Sequence, residues 1–249
     1  MRFFIELSYN GKNFHGWQIQ KRVKTIEDTV EYCLSKLLKE SINIIGAGRT
    51  DKGVHAKQMF AHFDYEKNIK NNFVKRINIF LPKHIKIIKI IPVKKNIHAR
   101  FHAISRTYKY YIENVKNPFN QDFSWYCAYS LDYEKMNKAS KILLSYKDFS
   151  TFRKGEKKKI IGQNNICHIY YVSWKKIYDT LCFTIESNRF LRSMVRSIIG
   201  TLIDVGRNKI TINEFIKIIE LKNSDYCSSI VPACGLFLYK ISYPDNIFL

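Results

Sequence analysis

FFIELSY, residues 3–9, sets the reading of the whole chain. Phe3, Ile5, Leu7 and Tyr9 alternate with Phe4, Glu6 and Ser8, the two-residue period of a strand that buries one face. A polar loop with Gly11 and Gly16 follows. Thr25, with Asp28 shortly after it, predicts a capped helix start, and Ile26, Val30, Cys33, Leu34, Leu37 and Leu38 recur at helical spacing to about Glu40. Beyond lie a short strand (Ile42 to Ala47), a glycine-bearing loop, a strand from Ala56 to Phe63 and a helix from Ile69 to Ile79. The run IKIIKII, Ile85 to Ile91, reads as a strand closed by Pro92. The order is β-α-β-β-α-β.

The same order recurs in the second half. The strand Thr107 to Val115 leads into a proline-containing loop, a short WYCAY segment and a helix from near Asp132. Strands at Ile166 to Trp174 and Leu181 to Glu186 flank a KKIYDT turn. A long helix, Arg189 to Val205, is predicted to stop at Gly206, a shorter one covers Ile212 to Glu220, and the last strand spans Leu236 to Ser242. An α+β fold is therefore expected: two tandem split β-α-β, ferredoxin-like halves, with mainly antiparallel sheets forming a cleft. The halves divide as 1–103 and 104–249, with a hinge near residues 92 to 104. Neither carries the aromatic-glycine signature of an RNA-recognition motif, and fold alone does not name a function.

Composition narrows the classes. Of 249 residues 46% are hydrophobic and 14% aromatic, enough for a sizeable core, which excludes intrinsic disorder. Lys and Arg number 42 against 21 Asp and Glu, a net charge of +21. Such self-repulsion favours a polyanionic partner, nucleic acid first and an anionic membrane second. With no long apolar run at MRFFIELSYN or later, the chain reads as soluble, cytoplasmic and unprocessed. The six cysteines, at 33, 127, 167, 182, 227 and 234, form no C-x-x-C pair, so reduced, mostly buried thiols and no structural metal are expected. His98 and His102 in HARFH have the spacing of a helical metal pair, but their surroundings read as a loop entering a strand, where that spacing has no such meaning.

GAGRTDKGVHA, Gly46 to Ala56, is the richest chemical stretch. Glycines at 46, 48 and 53 let the backbone turn tightly and place Arg49, Thr50 and Asp51 where a ligand can approach. Two readings of Asp51 stand here: a carboxylate for chemistry, or an Asp-x-Gly turn residue bonded to its own backbone. In SRTYKYY, Arg106, Tyr108 and Tyr110 alternate and so share one face, either solvated or a platform where a base stacks beside a cation. Along the predicted helix, Arg189, Arg192, Arg196 and Gly200 recur at intervals of three or four. Arg196 falls mid-helix between apolar residues, and that position calls for a carboxylate or phosphate partner. The lysines at 157–159, after Arg153 and Lys154, read as phosphate contacts without sequence selection.

GRTDKGVHA, preceded by YNGKNFHGWQ and followed by INIFLP, HARF, RTYKYY, DFSTFR, MVRSIIGTLIDVG and PACGLFL, resembles the tRNA pseudouridine synthase A family, in that family's order from about residue 3 to 243. Asn10 departs from the family's more frequent Asp, and the stretch after Phe152 is unusually rich in lysine. The resemblance implies an isomerase that converts uridine to pseudouridine at positions 38, 39 and 40 of the tRNA anticodon stem-loop. It implies Asp51 as nucleophile, Tyr108 packing on the base, Arg196 pairing with the aspartate and Arg49 holding the nucleotide out of its stack. It also implies a homodimer across which one tRNA lies, and no cofactor or metal, since the reaction has no net redox change and no group donor. A tandem RNA-binding module fits the same charge but has no use for a carboxylate facing a polyanion. A metal-dependent nuclease would call for paired carboxylates, and Asp51 has basic neighbours and no nearby acidic partner in sequence.

Overall fold

In the computed structural model, which describes residues 1–154 and 164–249, strand β1 (Arg2–Tyr9) forms where the alternation places it. Both of its faces are buried, not one: Phe4 and Ile5 are each fully covered. The reason lies at the other end of the chain. The chain divides into two compact units, Met1–Arg106 with Phe237–Leu249, and Thr107–Leu236. In the first, the returning C-terminal segment lays Tyr243 and Phe248 edge-on to Phe4, at 5.3 and 6.3 Å between ring centroids.

Helix α1 (Ile26–Leu38) starts at the Thr25 cap, whose hydroxyl accepts from the Asp28 N–H at 3.4 Å, and it buries Ile26, Val30, Cys33 and Leu34. Strand β2 is only Ile45–Gly46, shorter than the expected 42–47. Strand β3 (His55–Asp64), helix α2 (Phe73–Phe80) and strand β4 (Ile85–Val93) complete the run. Within this unit β1 lies between β4 and β3, antiparallel to both, and β2 pairs antiparallel with β3. The C-terminal strand β9 (Leu236–Ser242) runs parallel to β3 with His55 opposite Phe237. Pro92 does not close β4 but lies inside it, opposite Phe3. An edge strand tolerates this, because the Pro92 carbonyl accepts the Leu249 N–H at 3.2 Å, so the side on which Pro92 lacks an N–H faces away from β1.

The second unit contains most of strand β5 (Ser105–Glu113), strand β6 (Trp125–Tyr126), helix α3 (Tyr133–Ile142), strands β7 (Ile169–Ile177) and β8 (Thr180–Ser187), and helices α4 (Met194–Gly206) and α5 (Ile212–Glu220). Its strand order is β5-β8-β7, with β6 parallel to β5. The β7 and β8 strands extend through the predicted KKIYDT turn, leaving Tyr178 and Asp179 as the tip. Helix α4 begins five residues later than its sequence period suggests. Ser193 sits at φ +56°, and Asn188 is tied to β7, its N–H donating to the His168 carbonyl (3.1 Å) and its Oδ1 accepting from the His168 N–H (2.8 Å), so 188–193 is held as a loop. Arg189 and Arg192 therefore precede the helix. Gly206 is its last residue and the left-handed position falls on Asn208, not on the glycine.

All six cysteines are free, four of them buried, and burial pushes Cys167 and Cys227 up to about 11. Among the described residues no helix is long and apolar enough to cross a membrane. His98 and His102 lie in the loop before β5 as ordinary polar histidines, each Nδ1 accepting a backbone N–H.

His62 on β3 supplies a pH test of this core. It is 2% exposed, its Nδ1 accepts the Ala99 N–H at 3.2 Å, and its ring lies 4.6 Å from that of His98. Burial, with Arg2 and His98 nearby, lowers its pKa from 6.5 to about 4. A depressed base must stay neutral, so this contribution is whole above pH 6.5 and is lost as pH falls toward 4, about 1.4 kcal/mol per unit and about 3 kcal/mol in all. Urea titrations of wild type and His62→Asn, which keeps an acceptor for Ala99, should show that extra acid sensitivity in wild type only. Parallel pH profiles would remove His62 from the acid response.

Candidate active site

The loop from β2 into β3 owes its shape to bonds at its centre. Thr50 is buried, and its hydroxyl pairs with the Tyr9 hydroxyl at 2.8 Å while its carbonyl accepts the Trp17 N–H at 3.1 Å. The Val54 N–H then returns to the Asp51 carbonyl at 3.1 Å, closing a turn whose third residue, Gly53, has φ +78°. Only glycine enters that region without strain. Gly46 is needed for a different reason, since a Cβ there would stand 2.6 Å from Cε2 of Trp17. Gly48 meets neither condition, contrary to the expectation for all three glycines: a Cβ there would face open space. Arg49 is exposed and Asp51 half-buried, on one rigidly anchored loop.

At the start of this loop Ala47 is tied to later chain: the Arg106 guanidinium donates to the carbonyls of Ala47 (3.2 Å), Arg100 (2.6 Å) and Ala103 (3.1 Å). It braces the backbone that leads to Arg49. The expected platform of Arg106, Tyr108 and Tyr110 therefore breaks up. Tyr110 is fully buried, its hydroxyl donating to the Pro232 carbonyl at 2.9 Å, and burial raises its pKa well above the ordinary value for tyrosine. Of the three, Tyr108 remains as the partly exposed ring of the second unit, with Phe190 edge-on to it at 5.1 Å.

Arg196 is in the first turn of α4, not mid-helix, and is half-buried. Its Nε donates to the Val231 carbonyl at 2.8 Å, which fixes the stem of the fork. The positive end of the α4 macrodipole adds to its field, so this corner favours an anionic group. Gly200, one turn on, lets the 229–231 segment approach, because a Cβ there would overlap the Ser229 carbonyl oxygen. Gly200→Ala should displace that segment and its Val231 carbonyl. The overpacking, about 1–3 kcal/mol, should exceed the roughly 1 kcal/mol of helix propensity that alanine returns, so a lower urea midpoint is expected. A raised midpoint would show that the segment yields freely.

Phe190, Trp17, Tyr9 and the Val231 carbonyl were not read from the sequence as parts of the site. Phe190 is flanked by Arg189 and Arg192, whose charge drew the reading away from it. Arg153 and Lys154 are accounted for by Asn165 Oδ1 (3.3 Å) and the Ser224 carbonyl (3.2 Å), and the lysines at 157–159 lie outside the described residues. Among the described residues no three His, Cys, Asp or Glu side chains gather in a metal-binding group.

Arg49 and Asp51 thus share one braced loop of the first unit, while Tyr108 and Arg196 belong to the second unit. Residues 139–244 match the family model described as tRNA pseudouridine synthase. A tRNA pseudouridine synthase A of Azobacteroides pseudotrichonymphae genomovar. CFP2 is 50% identical over 248 residues, covering 99% of this chain and 98% of that protein. Its counterpart in Parabacteroides distasonis is 45% identical over 249 residues, with 99% and 98% covered. That of Borrelia duttonii is 37% identical over 247 residues, with 97% and 99% covered. The chain belongs to the tRNA pseudouridine synthase A family, and pseudouridine synthases are isomerases.

Proposed function

We propose that this enzyme isomerises uridine to pseudouridine at positions 38, 39 and 40 in the anticodon stem-loop of tRNA. The N1–C1′ bond breaks, the uracil turns, a C5–C1′ bond forms, the proton on C5 leaves and N1 takes up a proton. Atoms and electrons balance within the nucleotide, and no cofactor enters. Asp51 acts as the nucleophile. Arg49 holds the target nucleotide out of its stack, Tyr108 packs on the base and Arg196 offsets the carboxylate's charge. The observation that supports this best is the fixing of Thr50 from two sides, which holds the neighbouring Asp51 on a preformed backbone. The tandem split β-α-β halves belong to the same reading, residues 1–103 carrying the Asp loop and 104–249 the Tyr strand and Arg helix. The antiparallel β4-β1-β3-β2 order of the first unit supports this reading. A homodimer sharing one tRNA, acting in the cytoplasm, completes the proposal.

The test is tritium release from tRNA carrying 5-³H-uridine, with mapping of the modified positions. Release with modification confined to 38–40 is expected; modification elsewhere would move the substrate site. Because the net charge is +21, log K for tRNA should also fall linearly with log salt, by about 0.9 per duplex phosphate neutralised. Replacing Lys157, Lys158 and Lys159 together should flatten that slope and leave the single-turnover rate at saturating enzyme nearly intact. A large loss of that rate would give the lysines a role beyond charge.

A further inference from the structure

We propose that Glu27 is a positioning residue for the Arg49–Asp51 loop, acting through Trp17; the inference rests on the reading of Asp51 as nucleophile. Glu27 is in the first turn of α1 and only 6% exposed, a costly place for a carboxylate. An acidic group that merely favours a helix N-terminus works equally well in water, as the adjacent Asp28 is placed to do. Glu27 faces inward and takes three donors. Its Oε1 accepts the Trp17 indole N–H at 3.1 Å, and Oε2 accepts the Gln18 side-chain amide at 2.9 Å and the Ile19 N–H at 3.0 Å. Burial pushes its carboxyl up, while the Ile19 N–H, the Trp17 indole N–H and the charge of Arg49 pull it back toward the ionised form.

Trp17 passes this on. Besides the indole bond, its carbonyl accepts the Glu27 N–H at 3.0 Å and its own N–H reaches the Thr50 carbonyl at 3.1 Å, one peptide before Asp51. The indole is 1% exposed, wedged against Gly46, with its centroid 6.1 Å from that of Tyr9, the residue that holds the Thr50 hydroxyl. Such a wedge has little room to shift without moving Thr50. A neutral amide at 27 has a single acceptor oxygen for three donors and cannot restore the set.

Glu27→Gln and Trp17→Phe test this; the second keeps an aromatic ring and removes only the indole donor and part of the surface. Each should lower the single-turnover rate of tritium release at saturating enzyme by about 10- to 100-fold, with tRNA affinity by filter binding within about twofold. The double variant should be no slower than the worse single one, because both act along one path. Wild-type rates in both, multiplying losses in the double, or losses that only follow the unfolded fraction in a thermal melt would each overturn the assignment. Asp51→Asn run beside them separates the two ideas. If it releases tritium normally the nucleophile reading fails, and if it is inert while both variants match wild type only the positioning role falls.

Discussion

Asp51→Asn should abolish turnover, a loss on the order of 10⁴-fold or more, while leaving the protein folded and able to bind tRNA. The amide keeps the shape of the side chain but is far too weak to attack C1′ or C6. The backbone frame should survive, because the bonds that set it run from Trp17 and Tyr9 to Thr50, and from the Val54 N–H to the Asp51 carbonyl. None of these uses a carboxylate oxygen of Asp51. Removing a negative charge beside a polyanion should hold affinity or raise it slightly at fixed salt. Asp51→Glu should fail too, since one added methylene displaces the carboxylate by more than positioned chemistry tolerates. Tritium release and filter binding, measured on both variants with circular dichroism, decide the matter. Wild-type release from Asp51→Asn would falsify the nucleophile; lost binding with lost fold would make Asp51 a turn residue.

What was legible in the sequence was whatever is settled locally. Helix α5 occupies Ile212–Glu220 as its period predicts, because its start is set within four residues by the reciprocal cap of Thr211 and Glu214. The loop carrying Arg49 and Asp51 was legible as a glycine-bearing string for the same reason. What failed was decided by distant chain. Pro92 stays in its strand because β4 is an edge, and the edge is a property of the sheet. Helix α4 loses its first predicted turn to a left-handed Ser193 and to Asn188 held on His168, although the arginine spacing alone continues the helical period. Tyr110 alternates correctly with Tyr108, yet the Pro232 carbonyl, 122 residues on, claims its hydroxyl and buries it. The braces of the Asp51 loop belong to this group. Tyr9 is 41 positions from Thr50, and no spacing rule joins a strand residue to a loop that returns beside it.

Arg196 carries the second large effect, and here the substitution that looks mild is the informative one. Arg196→Lys keeps the charge but loses the planar fork: a single ammonium cannot reproduce a guanidinium whose Nε is fixed on the Val231 carbonyl at 2.8 Å. Both Arg196→Lys and Arg196→Ala should therefore lower the single-turnover rate, by about 10²- to 10³-fold, the scale found when one fixed donor to developing charge is removed. The salt dependence of tRNA binding separates two ways this can arise. A guanidinium serving the reacting centre leaves that dependence unchanged when it is removed, and the loss appears in the rate at saturating enzyme. A guanidinium serving a tRNA phosphate instead leaves the rate at saturation intact and reduces the salt dependence of binding by about 0.9 in log–log slope. The fixed Nε, the first-turn position on α4 and the added field of the helix end all favour an anion held in one place over a mobile backbone phosphate, so the loss of rate at saturation is the expected result.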